Sequence, residues 1–359
     1  MVVRICPRAR PLWESPSISR IGEMNSDFTV SVEQEVAEIK MKAPHVVVLG
    51  AGASRALCPH GDKNGRVLPL MRDLTEVVGL KRLLEGWGID PDQNFEEIFS
   101  TLYDRGEKEK VEIIQEIVES YFEHLELPDE PTIYDHLVLS LRDKDLLATF
   151  NWDPLLAQAY GRNLQAGLGL PNYAFLHGNV AVGYCAKDRV SGLGSRRCAH
   201  CGNPYTKAPL LYPIKQKNYS DNPFIANEWK RLEWGFRNAF MITIFGYSGP
   251  RTDQEAIGAM RAAWGDKNER PMEQTEFVTT QSKDEVKGNW EAFIHTHHYE
   301  MHADFYDSWI ANHPRRTGEA YLNQYLEAKF IHNNPIPREM DFERLWAWLE
   351  QFKAGEGVA

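Results

Sequence analysis

The stretch Pro44-His-Val-Val-Val-Leu-Gly-Ala-Gly-Ala-Ser54 constrains the fold of this chain more than any other. Its apolar run of valines and leucine is too short to span a membrane and leads straight into Gly50 and Gly52. Such a run reads as a buried parallel strand that ends in a tight turn and feeds a helix. A phosphate can approach a backbone only where no Cβ intervenes, and N–H groups at a helix start favour an anion. The pattern Gly-x-Gly-x-Ser lacks the third glycine of the dinucleotide fingerprint. On its own it fits a nucleotide site and a plain strand-turn equally well.

Further short apolar runs follow, each ending in small or polar residues. Asp145-Leu-Leu-Ala-Thr-Phe150 ends in Asn151-Trp-Asp153, and Tyr173-Ala-Phe-Leu-His177 is closed by Gly178. Phe240-Met-Ile-Thr-Ile-Phe245 ends in Gly246-Tyr-Ser-Gly249, and Glu276-Phe-Val-Thr-Thr280 makes a fifth strand. Helical patterns separate them. Val30 to Lys42 reads as a short amphipathic helix, and Val67 to Asp73 as a helix start. Apolar spacing near 3.6 in Asn94–Tyr103 and Val111–Tyr121 makes residues 75–143 mostly helical. Asp153-Pro154 starts another helix, with proline where a missing N–H costs little. Asn227–Ala239, Asp253–Trp264 and the aromatic tail from Gly318 are helical as well. Strands alternating with helices specify an α/β fold, a Rossmann-like doubly wound parallel sheet. It carries a helical insertion at 75–143 that covers the nucleotide site and a small loop or zinc-ribbon-like module at 183–207. The expected organisation is a mobile extension over 1–28, the nucleotide-binding domain over 29–285, and a C-terminal extension over 286–359 packed on it. In such sheets ligands sit beyond the carboxyl ends of the strands, so the polar strand ends should converge on one crevice.

Net charge is −11, which argues against a broad nucleic-acid footprint. The basic spots Ser195-Arg-Arg197 and Pro314-Arg-Arg-Thr317 read as solvated surface or a single anion contact. No apolar run approaches the roughly 20 residues of a spanning helix, and the N-terminus lacks the apolar core of a signal peptide. Five cysteines without disulfide-rich spacing favour a reducing cytoplasm.

Taken in order, Gly50-Ala-Gly-Ala-Ser54, Pro69-Leu-Met-Arg72, Thr149-Phe-Asn-Trp-Asp153, Leu176-His-Gly178 and Gly246-Tyr-Ser248 resemble the ordered motifs of the sirtuin fold. The resemblance covers residues 44 to 280 or so. It implies that Ala51, Gly52 and Ser54 approach the NAD pyrophosphate, with Gly50 and Gly246 in the same cofactor-binding set. Arg72 would hold the cofactor-binding loop, although Leu-Met replaces the family's Asp-Phe before it. Asn151 and Asp153 match the pair around the nicotinamide ribose, His177 matches the catalytic histidine, and Ser248 would lie near the adenosine ribose or phosphates. The residue types suit that chemistry: an amide can place a water or a ribose hydroxyl, and a histidine can act as a base near neutral pH. Taken alone, Asn151 also fits a helix N-cap and His177 a satisfied structural histidine.

Sirtuins carry a four-cysteine zinc ribbon after the His-Gly motif. Here Cys185-Ala-Lys-Asp188 and Cys198-Ala-His-Cys201 keep three thiols, so Cys185, Cys198 and Cys201 with Asp188 or His200 form a possible structural zinc site; a ribbon without metal stands as the alternative. Cys6 and Cys58 are bystanders. His295-Thr-His-His298 and His302 read as a polar strand or loop rather than a metal site, because no zincin pattern accompanies them. Phe305 to Thr317 is left to close the nucleotide pocket or to form an oligomer contact.

Two activities compete within the resemblance. The insertion at 75–143, with Asn94-Phe-Glu-Glu-Ile-Phe99, looks like the sirtuin-like effectors of bacterial antiphage systems, such as the Thoeris and HerA-associated proteins. That likeness implies an NAD glycohydrolase, cytoplasmic, assembling as a homo-oligomer and controlled by a separate partner protein such as an ATPase. No direct nucleic-acid or membrane contact is expected. A protein deacylase or ADP-ribosyltransferase is the alternative enzyme, and a sensor that binds NAD or ADP-ribose without turnover is the alternative of another class.

Overall fold

The computed structural model describes residues 28–213, 219, 222–249, 253–266, 274–291, 293–294 and 299–357. The expected N-terminal extension up to residue 27, Cys6 among it, and the histidine-rich residues 295–298 lie outside the described residues. The chain opens with β1 (Thr29–Val30), α1 (Val32–Ala37), β2 (His45–Leu49), α2 (Ala51–Leu57), α3 (Leu74–Val77) and α4 (Lys81–Gly86). It continues through α5 (Phe95–Asp104), α6 (Lys108–Glu123), α7 (Ile133–Leu139), β3 (Leu146–Thr149), α8 (Leu155–Asn163) and β4 (Asn172–Phe175). The small strands β5 (Val182–Cys185), β6 (Val190–Leu193) and β7 (Thr206–Lys207) precede α9 (Pro223–Asn238), β8 (Met241–Phe245), α10 (Gln254–Trp264), β9 (Gln274–Val278) and α11 (Lys283–Trp290). Last come β10 (Tyr299–His302), α12 (Trp309–Asn312), α13 (Thr317–Tyr321), β11 (Phe330–Ile331) and α14 (Phe342–Lys353).

The main sheet has six parallel strands in the order β10-β9-β8-β2-β3-β4. All residues of β2 are buried, as are those of β3, β8 and β9, which is why β2, β3 and β8 read as mainly apolar runs, whereas β9 buries Gln274, Thr275 and Glu276 as well. From β2 the chain builds outward through β3 to β4, then crosses back to β8 on the other side of β2. The sheet therefore reverses direction beside its central strand, and a doubly wound sheet opens its ligand crevice at that point. Register brings the strand ends level: Leu49 pairs with Thr149 and with Phe245, and Phe245 with Val278. On one face Phe236 of α9 meets Trp264 of α10 and Phe293 beyond α11. Gly235 lets α9 lie close on the sheet, since a Cβ there would stand 2.7 Å from Leu146.

The polar strand or loop expected at His302 is a short sixth strand, β10; His302 sits between Glu276 and Glu300, at 3.3 and 3.5 Å, and these carboxylates raise its pKa to about 10. Other local expectations change. The segment Val67–Asp73 is irregular, and helix begins only at Leu74. The helix expected over 30–42 is confined to Val32–Ala37, because Thr29 and Val30 pair in parallel with Phe330 and Ile331 instead. Residues 183–207 are not merely a loop: they include most of a three-stranded antiparallel sheet in the order β6-β5-β7.

The largest correction concerns Pro314-Arg-Arg-Thr317. Arg315 and Arg316 are not solvated; both are 1% exposed or less. Arg315 donates to the carbonyls of Leu139, Leu141 and Gly169, Arg316 to that of Val36, and both pair with Glu356. Arg142 forms a second buried pair with Glu319 at 2.8 Å. Buried charges persist only when paired and hydrogen-bonded, and these are.

Candidate active site

Two glycine turns meet at the switch point. A Cβ on Gly50 would lie 2.6 Å from the Gly246 carbonyl oxygen, and one on Gly52 would lie 2.8 Å from the same atom. Gly246 has φ +63°, and a Cβ there would stand 2.1 Å from the Ala53 nitrogen. The Gly52 N–H donates to the Gly246 carbonyl at 2.9 Å, locking the end of β2 to the end of β8. These glycines thus first serve backbone-to-backbone packing of two neighbouring turns.

A cavity of about 450 Å³ opens above them, within the usual range for small-molecule sites. Gly50, Ala51, Gly52, Ser54, Arg72, Asn151, Asp153, His177, Gly246 and Ser248 all line it, so every residue expected at the nucleotide site comes to one place. The helical insertion contributes Glu96 of α5 and Phe122 of α6 to the wall. Phe150 stacks on Tyr247 with ring centroids 4.3 Å apart and meets the His177 ring edge-on at 4.8 Å.

The polar floor is one hydrogen-bonded cluster. Asn151 donates from Nδ2 to the Gly50 carbonyl and to Ser54 Oγ, both at 2.9 Å. Ser54 Oγ donates to Asp153 Oδ2 at 2.7 Å and lies 2.8 Å from the Tyr134 hydroxyl. Asp153 Oδ1 accepts from the Leu155 N–H at 3.1 Å, while the N-cap position of α8 is Pro154, so Asn151 is not the helix cap. The Asn179 side chain donates to the carbonyls of Asn151 and Asp153, holding the turn between them. Burial raises the Asp153 carboxyl to about 6 despite the Ser54 bond that opposes it. His177 follows Leu176 at the end of β4, and its carbonyl accepts from the Leu211 N–H at 2.9 Å. Gly178 beside it has φ +77°, with the Pro209 carbonyl where a Cβ would be.

Some expected members sit differently from the core of the site. Arg72 and Ser248 are exposed at its edge. The loop before Arg72 is fastened by Arg55, which donates to the Leu68 carbonyl and to Asp73 at 2.7 Å. Tyr134 is the member that sequence reading missed. Its only signal was the Thr132-x-x-Asp135 capping box, which places it in the first turn of α7.

The cysteine cluster forms as expected, with Asp188 rather than His200 as its fourth group. One ligand atom each from Cys185, Asp188, Cys198 and Cys201 lies within 4.8 Å of the others. Cys198 and Cys185 donate to Asp188 Oδ2 at 3.1 and 3.4 Å, while His200 is exposed. Three soft thiols and a carboxylate converging on one point suit tetrahedral zinc, so the cluster could hold a structural zinc ion. Among the described residues no helix is long and apolar enough to cross a membrane.

No family model matches the chain, and no curated protein matches it. Among solved structures it is similar to one described as "Structural Basis for the Mechanism and Regulation of Sir2 Enzymes", with 15% identity and a TM-score of 0.37, covering 83% of this chain and 97% of that one. It is similar to a Sir2 homologue in complex with NAD, at 12% identity and TM-score 0.33, covering 85% and 95%. A triple mutant of Sir2 homologues with 2′-O-acetyl ADP ribose matches at 13% identity and TM-score 0.41, covering 82% and 95%.

Proposed function

We propose that this chain is an NAD glycohydrolase of the sirtuin-like class, releasing nicotinamide and ADP-ribose. The observation that carries the reading is convergence: motif-bearing segments from Gly50 to Ser248 close on one cavity that holds Asn151, Asp153 and His177 together. Breaking the bond between ribose and pyridinium sends its electron pair to the ring nitrogen, leaving neutral nicotinamide and positive charge on the sugar. A wall with Asp153 and the π-faces of Phe150 and Tyr247 suits that charge. Asn151 would hold the attacking water or a ribose hydroxyl. The water oxygen bonds to the anomeric carbon, and its proton passes to His177 and on to solvent.

By the resemblance of its insertion, the enzyme would act as a NAD-depleting effector in antiphage defence, in the cytoplasm, as a homo-oligomer restrained by a partner such as an ATPase. A test at the site uses Asn151→Ala and His177→Ala. Both should abolish turnover while Asn151→Ala leaves NAD binding within about tenfold, roughly 1.4 kcal/mol. Retained turnover in either variant would refute the assignment, and lost binding would make Asn151 a ligand anchor instead.

A further inference from the structure

Counting donors and acceptors fixes the direction of every hydrogen bond on the cavity floor. With Asp153 ionised, the two hydrogens of Asn151 Nδ2 go one to the Gly50 carbonyl and the other to Ser54 Oγ at 2.9 Å, shared with the Tyr134 hydroxyl oxygen at 3.3 Å. Ser54 has one hydrogen, and it goes to Asp153 Oδ2. The Tyr134 hydroxyl, 2.8 Å from Ser54 Oγ, must therefore donate to it, filling the second lone pair. Tyr134 is 1% exposed, absent from the cavity wall, and only 3.3 Å from Asn151 Nδ2. The geometry points to Tyr134 as a positioning residue: its donated hydrogen bond holds Ser54 turned toward Asp153, and this fixes the Asn151 amide with its carboxamide oxygen facing the ligand. Asn151 then meets the ligand as an acceptor, suited to a ribose hydroxyl or a water. This rests on the NAD reading for the ligand's identity but not for the polarity of the cluster.

The relay also senses protons. An ionised Asp153 accepts from Ser54; a protonated Asp153 competes as a donor for the same oxygen, and the order of the cluster is lost. The titratable groups coupled to Asp153 are Tyr134 on α7 and Cys58 after α2, and Arg72, Glu96, His177 and Asp253 line the same cavity. Burial holds both the Tyr134 hydroxyl and the Cys58 thiol uncharged, the latter pushed up to about 11.

Tyr134→Phe keeps the ring and removes the donor. We expect kcat for nicotinamide release to fall about tenfold with KM for NAD within twofold, and the acid limb of the kcat profile to move to higher pH. Tyr306→Phe is the control: it removes a half-buried hydroxyl 2.7 Å from His136 on the same helix and should leave rate and profile unchanged. Should Tyr134→Phe fold poorly, Ser54→Ala interrupts the same relay and should shift the limb likewise. Wild-type rate and profile in the folded Tyr134→Phe protein would overturn the assignment, as would an equal effect of Tyr306→Phe. If the wild-type protein releases no nicotinamide, the NAD reading fails, and the carboxyl titration of Asp153 by NMR decides the relay. An upward shift in Tyr134→Phe supports it, and an unmoved titration overturns it.

Discussion

Asp153 is buried at 4% exposure, and two donors, Ser54 and the Leu155 N–H, fail to offset the cost of ionising it there. Its folded pKa of about 6 lies above the ordinary 3.8, so the folded chain holds this proton more tightly than the unfolded one. The sign follows: the stabilisation is fully present below about pH 4 and is lost as pH rises through 6. Denaturant unfolding across pH 4–6 should show wild-type stability falling relative to Asp153→Asn, whose amide does not titrate. Parallel curves for the two proteins would contradict this. Asn151 at the same scale shows what neighbours decide. Its residue type fitted a helix cap as well as a ligand contact, and the cap reading falls because Pro154 holds the N-cap position of α8 while the Asn151 amide bonds to Gly50 and Ser54.

At the scale of elements, the closure of β2 on β8 depends on backbone surfaces without side chains. Gly246→Ala places a methyl where the Ala53 nitrogen lies and asks alanine to hold φ +63°. We expect a loss of about 3 kcal/mol or more in unfolding free energy, whereas Gly258→Ala on α10, where nothing lies within 4 Å, should be neutral or stabilising. Equal effects would refute the packing role. The thiol cluster gives a second element-scale prediction. Purified protein should carry zinc, a chelator should lower its melting temperature, and Asp188→Cys should retain metal against chelator better than wild type. Absence of metal from wild type and Asp188→Cys alike would show a ribbon held by hydrogen bonds alone. Elements whose both faces are buried were legible as apolar runs, and α5 and α6 as helical spacing. The strand β10 was legible only as a polar strand or loop, because what holds His302 there, Glu276 on the neighbouring strand together with Glu300, is invisible in local pattern. The ribbon strands were hidden by their glycines and by the cysteines' demand for loops.

Across the whole molecule, the segment left unassigned at 305–317 belongs to the interior. Arg315 and Arg316 bind Glu356, some forty positions along the chain, and tie residues after α14 to carbonyls in the last turns of α7 and α1. A pair of adjacent arginines looks like surface in a sequence because nothing nearby shows the partner. Glu356→Ala would leave two buried guanidinium groups without their carboxylate, and we expect it to cost about 3–5 kcal/mol in denaturant unfolding; a change under 1 kcal/mol would mean the carbonyls suffice. The site was legible to a greater degree than the scaffold behind it, since strand ends bear the chemistry and strands are the readable elements. What was hidden, Tyr134 above all, reaches the site from a helix far from any motif. The most direct measurement of the central claim is nicotinamide release from NAD by the purified protein, with and without an acetyl-lysine peptide. A glycohydrolase releases nicotinamide without peptide and loses this in His177→Ala; release only when peptide is present would contradict that activity and establish a deacylase.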